Sequence, residues 1–505
     1  MTYPRPQMKR REWFSLEGEW TVNGHGGLVP ECRSEENLMY EKRFSYTKQN
    51  ARVLLHFGAA DQVAKVWLNG HYLGEHFGGY LPFTFEITDA LDDDNLLRVE
   101  VTDTLDHCYP YGKQRRDRGG MWYTPVSGLW KSVWIESVPE TYISDVKITP
   151  DLTGATLEIT VSSPAGATTE TERVDIADPE LWTPDNPKLY THTVRRGDDE
   201  VEIYFALRTV EIAEVDGVRR VLLNGEPIFL HGVLDQGYFS DGLFTPHDIS
   251  EYEKDVLRMK ELGFNLLRKH IKIEPEEFYY ACDRLGMLVM QDMVNSGDYS
   301  FFRDTVLGTV GLHLSDKKKK TDARMDFFVT HSVDTVRCLY NHPSVIAYTI
   351  FNEGWGQFES DRMYDILKGE DGTRLYDSTS GWFAQKKSDF DSEHIYFRLK
   401  KLKPKKRPLF VSECGGYSYN LNGQNRTYGY GKCGSREELT ARIEKLYGEM
   451  IVPAIPHGCC GCIYTQLSDI EDEINGLYSY DRQVCKVEGD RMRKIGERVK
   501  KALKE

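Results

Sequence analysis

Apolar and polar positions alternate in short runs over residues 40–46, 52–57, 65–68, 80–87 and 96–101. That is the period of half-buried strands. Turn signals separate the runs, among them Asn69-Gly70, Gly78-Gly79 and the acidic stretch 92–95. Asn-Gly between hydrophobic runs is the strongest short hairpin signal, and many short strands with frequent turns predict a β-sandwich over residues 1–140. A long loop, 111–130, carries Lys113, Arg115, Arg116 and Arg118 before a strand at 132–135. Loops of that length on a sandwich are often functional, and otherwise are solvated excursions. A second alternating series, 142–148, 155–161, 191–194 and 202–207, flanks a proline-rich turn at 181–187 that cannot be helix interior. It predicts a smaller domain over 141–212, with room for about six or seven strands of an immunoglobulin-like sandwich.

Near residue 213 the period changes. Runs with helical spacing at 249–262, 275–285, 325–340, 361–367, 436–451 and 488–504 alternate with strand-like runs. The strand-like runs are 228–233, 265–268, 287–290, 344–350, 375–379, 394–397, 409–413 and 462–466. About eight βα units predict a (β/α)8 barrel over 213–505. With no internal repeat and no low-complexity linker, the three parts are expected to pack closely.

Composition narrows the function classes. The chain has 505 residues, 12% of them aromatic, and a formal charge of −15. Nine Trp and 29 Tyr suit the apolar faces of sugar rings, although cores and surfaces absorb most such residues. The negative charge disfavours nucleic acid and anionic membrane as partners. No stretch approaches the roughly 20 apolar residues of a membrane span. The N-terminus shows no apolar leader, so a cytoplasmic location with reduced cysteines is expected. The Lys317–Lys320 run reads as a solvated loop. His457-Gly458-Cys459-Cys460-Gly461-Cys462 runs into an apolar strand without a second pair at zinc spacing, so buried thiols are favoured over metal.

On a barrel of this kind, functional groups sit at the carboxyl ends of strands. The fourth strand-like run leads to Asn352-Glu353 and breaks at Gly354, and the seventh ends at Glu413 ahead of Gly415-Gly416. Alone, the stretch ending in Glu353 is equally a buried strand whose last polar residue meets solvent. Two converging carboxylates, however, are the minimal machinery of glycoside hydrolysis, one protonating the leaving oxygen and the other attacking the anomeric carbon.

These features resemble glycoside hydrolase family 2, the group of β-galactosidases, β-glucuronidases and β-mannosidases. The resemblance rests on Val66-Trp67-Leu68-Asn69-Gly70, on residues 77–83, 127–134, 205–211 and 223–232, on Asn341-His342-Pro343-Ser344 with Asn352-Glu353, and on Ser412-Glu413 with Gly415-Gly416. It implies a sugar-binding jelly roll, an immunoglobulin-like domain and a TIM barrel in that order. Glu353 would be the general acid/base, Glu413 the nucleophile, Asn352 a ligand of the sugar 2-OH, and Arg268 the cation that holds Glu413 ionised. Asp235, His270, Asp292, Trp382, His394, Tyr417 and Gln466, all at or just past strand ends, are second-tier substrate contacts. His394 and Trp382 are preferred among them, because family members place such residues there. His231 reads as a core histidine.

Several positions depart from the family pattern. The His-Glu pair of many relatives after the first strand is replaced by Asp235-Gln236. The uronate-gripping Asn-x-Lys motif is missing from 474–482, leaving Arg482 or Lys486 as candidate cations. Cys414 follows the nucleophile candidate, and the metal ligands of large β-galactosidases do not map. The expectation is a retaining exo-β-glycosidase with no cofactor and no essential metal, acting on a β-galactoside first and on a β-glucuronide or another β-glycoside as the alternative. A non-catalytic carbohydrate-binding protein is the reading from another class. Homo-oligomerisation is left open.

Overall fold

The computed structural model describes residues 3–504 apart from 308–315, 317–321, 404–405 and 422. The lysine run 317–320 lies outside the described residues. No helix among those described is long and apolar enough to cross a membrane.

The first part is two antiparallel sheets facing each other. One has four strands, in the order Trp13–Ser15, Val133–Val138, Arg52–Phe57, Phe83–Glu86. The other has six, in the order His25–Val29, Gly18–Val22, Asn37–Ser45, Asp94–Thr102, Val63–Leu68, His71–Phe77. Their inward positions, including Tyr40, Leu55, Phe57, Val66, Leu97 and Ile135, form one apolar core. The Asn69-Gly70 turn has φ of 52° and 83°, the left-handed pair that a two-residue hairpin needs.

The second part has five strands, fewer than the spacing suggested. Tyr142–Pro150, Gly154–Ser163 and Gly166–Asp175 form one sheet, and Tyr190–Arg196 with Asp199–Phe205 the other. Gly166–Asp175 is exposed along nearly its whole length. With neither face buried it has no apolar alternation to read. The change of texture near 213 falls inside a hairpin, Val210–Val215 with Val218–Leu223, turned by Asp216-Gly217 at positive φ.

The third part is a parallel eight-stranded barrel. Its strands in chain order are Leu230–Asp235, Leu266–Lys269, Leu288–Asp292, Val345–Asn352, Leu375–Ser380, Asp391–Ile395, Leu409–Gly415 and Cys459–Thr465. Each pairs with its neighbours except at the seam between the fifth and sixth, where side chains take over: Ser380 Oγ lies 2.7 Å from His394 Nε2. Helices cover the outside and are stopped locally, as at Gly286, which takes φ 73°. An added Cβ there would stand 2.5 Å from Pro184 O, so this glycine also docks the second sandwich.

The turn Asn341-His342-Pro343-Ser344 fastens the sandwich to the barrel. Asn341 accepts from Ile148 N at 2.8 Å and donates to Val146 O at 2.6 Å. The buried His342 Nδ1 lies 2.7 Å from Asp283 Oδ2, and Ser344 N donates to Asp283 Oδ1 at 2.8 Å. This half of the motif therefore sets the base of the fourth strand, whose other end carries Asn352.

Candidate active site

At that other end the backbone turns sharply. Glu353 adopts φ 54° and Gly354 φ 78°. On a regular strand adjacent side chains point to opposite faces; the left-handed step at Glu353 itself lets Asn352 and Glu353 line one pocket. Such a conformation costs a non-glycine residue of order 1 kcal/mol or more and is held only where the surroundings over-determine it. A Cβ on Gly354 would stand 2.3 Å from Phe383 Cδ2, so the second left-handed residue of the turn has to be glycine.

Arg268, wholly buried, is the hub. Its guanidinium donates to Glu413 Oε1 at 3.0 Å, to Asn352 Oδ1 at 3.0 Å, to Asp292 Oδ1 at 3.0 Å and to Ser412 O at 2.9 Å. Because Arg268 takes the Asn352 oxygen, the amide NH₂ is the group left to face the pocket. Breaking a buried ion pair of this kind costs roughly 3–5 kcal/mol, so Arg268 holds the fold as well as the carboxylate. Asp292 also lies 2.6 Å from His270 Nδ1.

The two glutamates meet across His394. Its Nδ1 lies 2.7 Å from Glu353 Oε1 and 3.6 Å from Glu413 Oε2. An oxygen of each carboxylate and the imidazole nitrogen all lie within 4.8 Å of one another. The Tyr396 hydroxyl donates a short hydrogen bond to Glu413 Oε2, and its ring stacks on Tyr430 at 4.0 Å. Burial alone would push the Glu413 carboxyl up; the charges of His394 and Arg268, with the Tyr396 hydrogen bond, outweigh it and hold the group well below the usual carboxylate range.

The long loop of the first sandwich reaches this site. Lys113, Met121 and Trp122 line the pocket together with Tyr299, Trp355, Tyr428 and Glu473 from the barrel loops. The Trp122 and Trp355 rings meet edge to face at 5.1 Å, and Tyr299 closes on Trp122 at 4.9 Å. They form the kind of aromatic wall on which apolar sugar faces pack.

Of the sequence candidates, Asn352, Glu353, Glu413 and His270 line the pocket, Arg268 and His394 stand directly behind it, and Asp292 supports them. Trp382 lies one layer further out, edge-on to His394 at 5.4 Å, its indole donating to Asp304 O. Asp235 is placed elsewhere: it is buried, 2.7 Å from Lys269 Nζ, and accepts from Gly237 N. The charge of the neighbouring lysine claims it. Tyr417 is not among the lining residues either, its ring lying under Arg442. Gln466 is tied to Gln236 and Asn475. Arg482 pairs with Asp255 and Lys486 with Asp469, so neither cation is offered to the pocket. His231 is a core residue between Gly263 O and Tyr447 OH, each at 3.0 Å.

Sequence reasoning missed Lys113 and Trp122 as pocket residues, and Tyr396 altogether. Tyr396 stands two residues after His394 and just past the end of the sixth strand at Ile395; a strand over 394–397, as the sequence suggests, puts residues i and i+2 on one face, and that is the available signal. Among the described residues the His/Cys/Asp/Glu group close enough to share an ion is Glu353, His394 and Glu413 itself. A divalent cation there would compete with the Arg268 charge already on Glu413. Cys459, Cys460 and Cys462 are buried in the eighth strand.

Two family models match the chain: the TIM barrel domain of glycosyl hydrolases family 2 over residues 214–409, and the galactose-binding domain-like module of glycosyl hydrolase 2 over 30–126. A β-galactosidase of Thermoanaerobacter pseudethanolicus is 28% identical over 50% of this chain and 39% of that protein. A putative β-glucuronidase of Formosa agariphila is 24% identical over 68% of this chain and 43% of its own length. The chain thus spans about two fifths of the length of these curated relatives. Among solved structures, a β-D-glucuronidase of Dictyoglomus thermophilum shares the fold at TM-score 0.75 and 17% identity, covering 99% of both chains. A GH2 β-galacturonidase of Eisenbergiella tayi bound to galacturonate does so at TM-score 0.74 and 18% identity, over 97% of this chain and 98% of that one.

Proposed function

The chain belongs to glycoside hydrolase family 2, and from that premise we propose that it is a retaining exo-β-glycosidase that removes terminal β-linked hexosyl or hexuronosyl residues. One observation carries the reading. Two carboxylates from the fourth and seventh barrel strands each bring an oxygen to within 4.8 Å of the other, which leaves no room between those oxygens for the water that inversion needs and supports direct attack by one carboxylate.

The environments divide the roles. Glu413, paired with Arg268 and Tyr396, stays ionised and attacks the anomeric carbon, forming a glycosyl-enzyme as the leaving oxygen departs. Glu353, reached by His394 rather than by a permanent cation, gives its proton to that oxygen. It then takes one from the water that releases the sugar. The Asn352 amide donates to the 2-OH, a contact that strengthens as positive charge develops on the ring. Nothing in this chemistry calls for a metal.

The test is the anomer of the first-formed product. Proton NMR of an aryl β-glycoside digest should show the β-sugar appearing before mutarotation, and an α-sugar appearing first would refute Glu413 as nucleophile. A panel of nitrophenyl β-glycosides separates the neutral β-galactoside that the sequence put first from the uronides; tight sugar binding with no turnover would point instead to a carbohydrate-binding protein.

Tyr396→Phe isolates one support of the nucleophile. Without that hydrogen bond the Glu413 pKa rises, so the acid limb of the kcat/KM profile should move to higher pH. The rate at the optimum should fall by about tenfold, as expected for one hydrogen bond to a charge. An unmoved acid limb would mean that the hydroxyl does not set the ionisation of Glu413.

A further inference from the structure

Lys113 is carried into the pocket by a loop of the first sandwich, and its ammonium finds no partner there. Tyr111 N and Gly112 N both donate to Asn295 O, at 3.0 and 3.4 Å. Gly112 has φ 67°, and a Cβ on it would stand 2.9 Å from Ile271 O and 3.0 Å from Tyr80 OH, so glycine is what lets the loop lie against the barrel mouth. Tyr123 N donates to Lys113 O at 3.0 Å. The next residue, Gln114, is buried and donates to Asp61 Oδ2 at 3.1 Å and to Tyr80 OH at 3.2 Å. Lys113 is therefore fixed at its backbone between two anchored neighbours. Its half-buried side chain lines the same pocket as His270, Glu353 and Glu413.

The barrel cations nearest the pocket are already engaged, and on the loop itself the Arg115 guanidinium lies over the Trp122 ring at 5.2 Å. Arg268 holds Glu413 and Asp292, while Lys269 holds Asp235 and Glu274, and Lys272 also holds Glu274. No hydrogen bond or ion pair reaches the Lys113 ammonium among the described residues. Its charge is nonetheless felt: burial first, and then Lys113, holds the His270 imidazole down to about 4, so His270 meets substrate neutral. Glu473, the third carboxylate of the pocket, is claimed by the Tyr123 hydroxyl and by Asn475 Nδ2 at 2.9 Å.

We propose that Lys113 reads an anionic group on the sugar, and that the preferred substrates are β-linked hexuronic acids, with a carboxylate at C6, over neutral hexosides. This rests on the glycosidase reading of the same pocket. A lysine ammonium in a narrow, aromatic-walled site gains a charge-assisted hydrogen bond from a carboxylate and only a neutral one from a hydroxymethyl group. The reader comes from the sandwich rather than from the Asn-x-Lys position beyond the last barrel strand, which explains how an anionic sugar is accommodated without that motif.

The test compares kcat/KM on 4-nitrophenyl β-D-galacturonide, β-D-glucuronide, β-D-galactoside and the galactoside 6-sulfate for wild type, Lys113→Gln and Lys113→Arg. Wild type should prefer a uronide. Lys113→Gln should lower the uronide-to-galactoside ratio by about 10- to 100-fold, the loss expected for one charge-assisted hydrogen bond, and Lys113→Arg should keep most of the ratio. A purely structural lysine would lower every substrate alike and leave the ratio unchanged, which overturns the proposal, as does a wild-type preference for the neutral sugar. Preference for the 6-sulfate overturns the carboxylate assignment. If wild type turns over no β-glycoside, the glycosidase reading fails instead. Thermal melts then decide Lys113, which predicts a larger Tm rise from free galacturonate than from galactose, lost in Lys113→Gln; equal rises overturn it.

Discussion

Glu413→Ala is expected to lower turnover of aryl β-glycosides by about 10⁴- to 10⁶-fold, the range in which enzymes lose rate when a covalent nucleophile is removed. The size of the loss follows from what remains. Without Glu413 no glycosyl-enzyme can form, and the space left beside Arg268 is filled at best by a water with no base arranged behind it. The fold should survive the change. Arg268 keeps Asp292 as a buried counter-charge through contacts of 2.9 and 3.0 Å, so the melting curve should show a folded protein. Azide added to the variant can occupy the vacated face and attack the anomeric carbon directly. The product should then be the α-glycosyl azide, of opposite configuration to the substrate. Near-wild-type turnover in a folded Glu413→Ala protein would sink the assignment of the nucleophile.

The pocket is a joint product of the first and third parts of the chain. The barrel supplies both carboxylates and the Arg268 hub, and the first sandwich supplies Lys113, Met121 and Trp122. The module that resembles a sugar-binding domain thus touches the reaction pocket itself. The second sandwich works at a distance: Asn341 ties it to the base of the strand that carries Asn352, and Trp182 donates to Asp283 O at 2.8 Å.

What the sequence disclosed, and what it hid, follows from burial. The barrel strands were legible because most are buried on both faces and read as continuous apolar runs ended by glycine, as at 409–415 and 345–352. The sequence pattern places the sixth strand late, at 394–397, whereas the structure has it at Asp391–Ile395. Its residues Asp391 and Ser392 serve Arg407 and Ser412 instead of an apolar core, so no hydrophobic run marked its start. Gly166–Asp175 was invisible for the opposite reason, having neither face buried. Strand-end position and the family resemblance together point to Arg268, His270, Asn352, Glu353, His394 and Glu413, which lie at or directly behind one pocket, but strand-end position also promotes Asp235, and only the three-dimensional placement of Lys269 reveals where that carboxylate is spent. Lys113 and Trp122 lie more than a hundred residues before the barrel, and no periodicity connects a sandwich loop to a mouth it meets only in space.

Glu353→Ala should show a loss that depends on the leaving group, and this dependence identifies the acid. A positioned general acid contributes roughly 10²- to 10⁴-fold, but only when the departing oxygen needs a proton. On an alkyl β-glycoside the full loss is expected. On a dinitrophenyl glycoside the first step should be almost untouched, because that phenolate leaves unaided. Release of the sugar then becomes slow, for Glu353 is also the base that activates water, so the glycosyl-enzyme accumulates and KM falls along with kcat. The backbone gives a second reason to choose alanine with care: Glu353 sits at φ 54°, so Glu353→Gln, which keeps the side chain's shape and its approach to His394, should be run beside it. Azide, needing no base, should restore turnover of the activated substrate and capture the glycosyl-enzyme from the face that water uses. Its product should be the β-glycosyl azide, the anomer opposite to that formed by Glu413→Ala. Equal losses on alkyl and dinitrophenyl substrates would remove Glu353 from proton transfer. Opposite azide anomers from the two variants would fix which carboxylate attacks and which one hands over the proton.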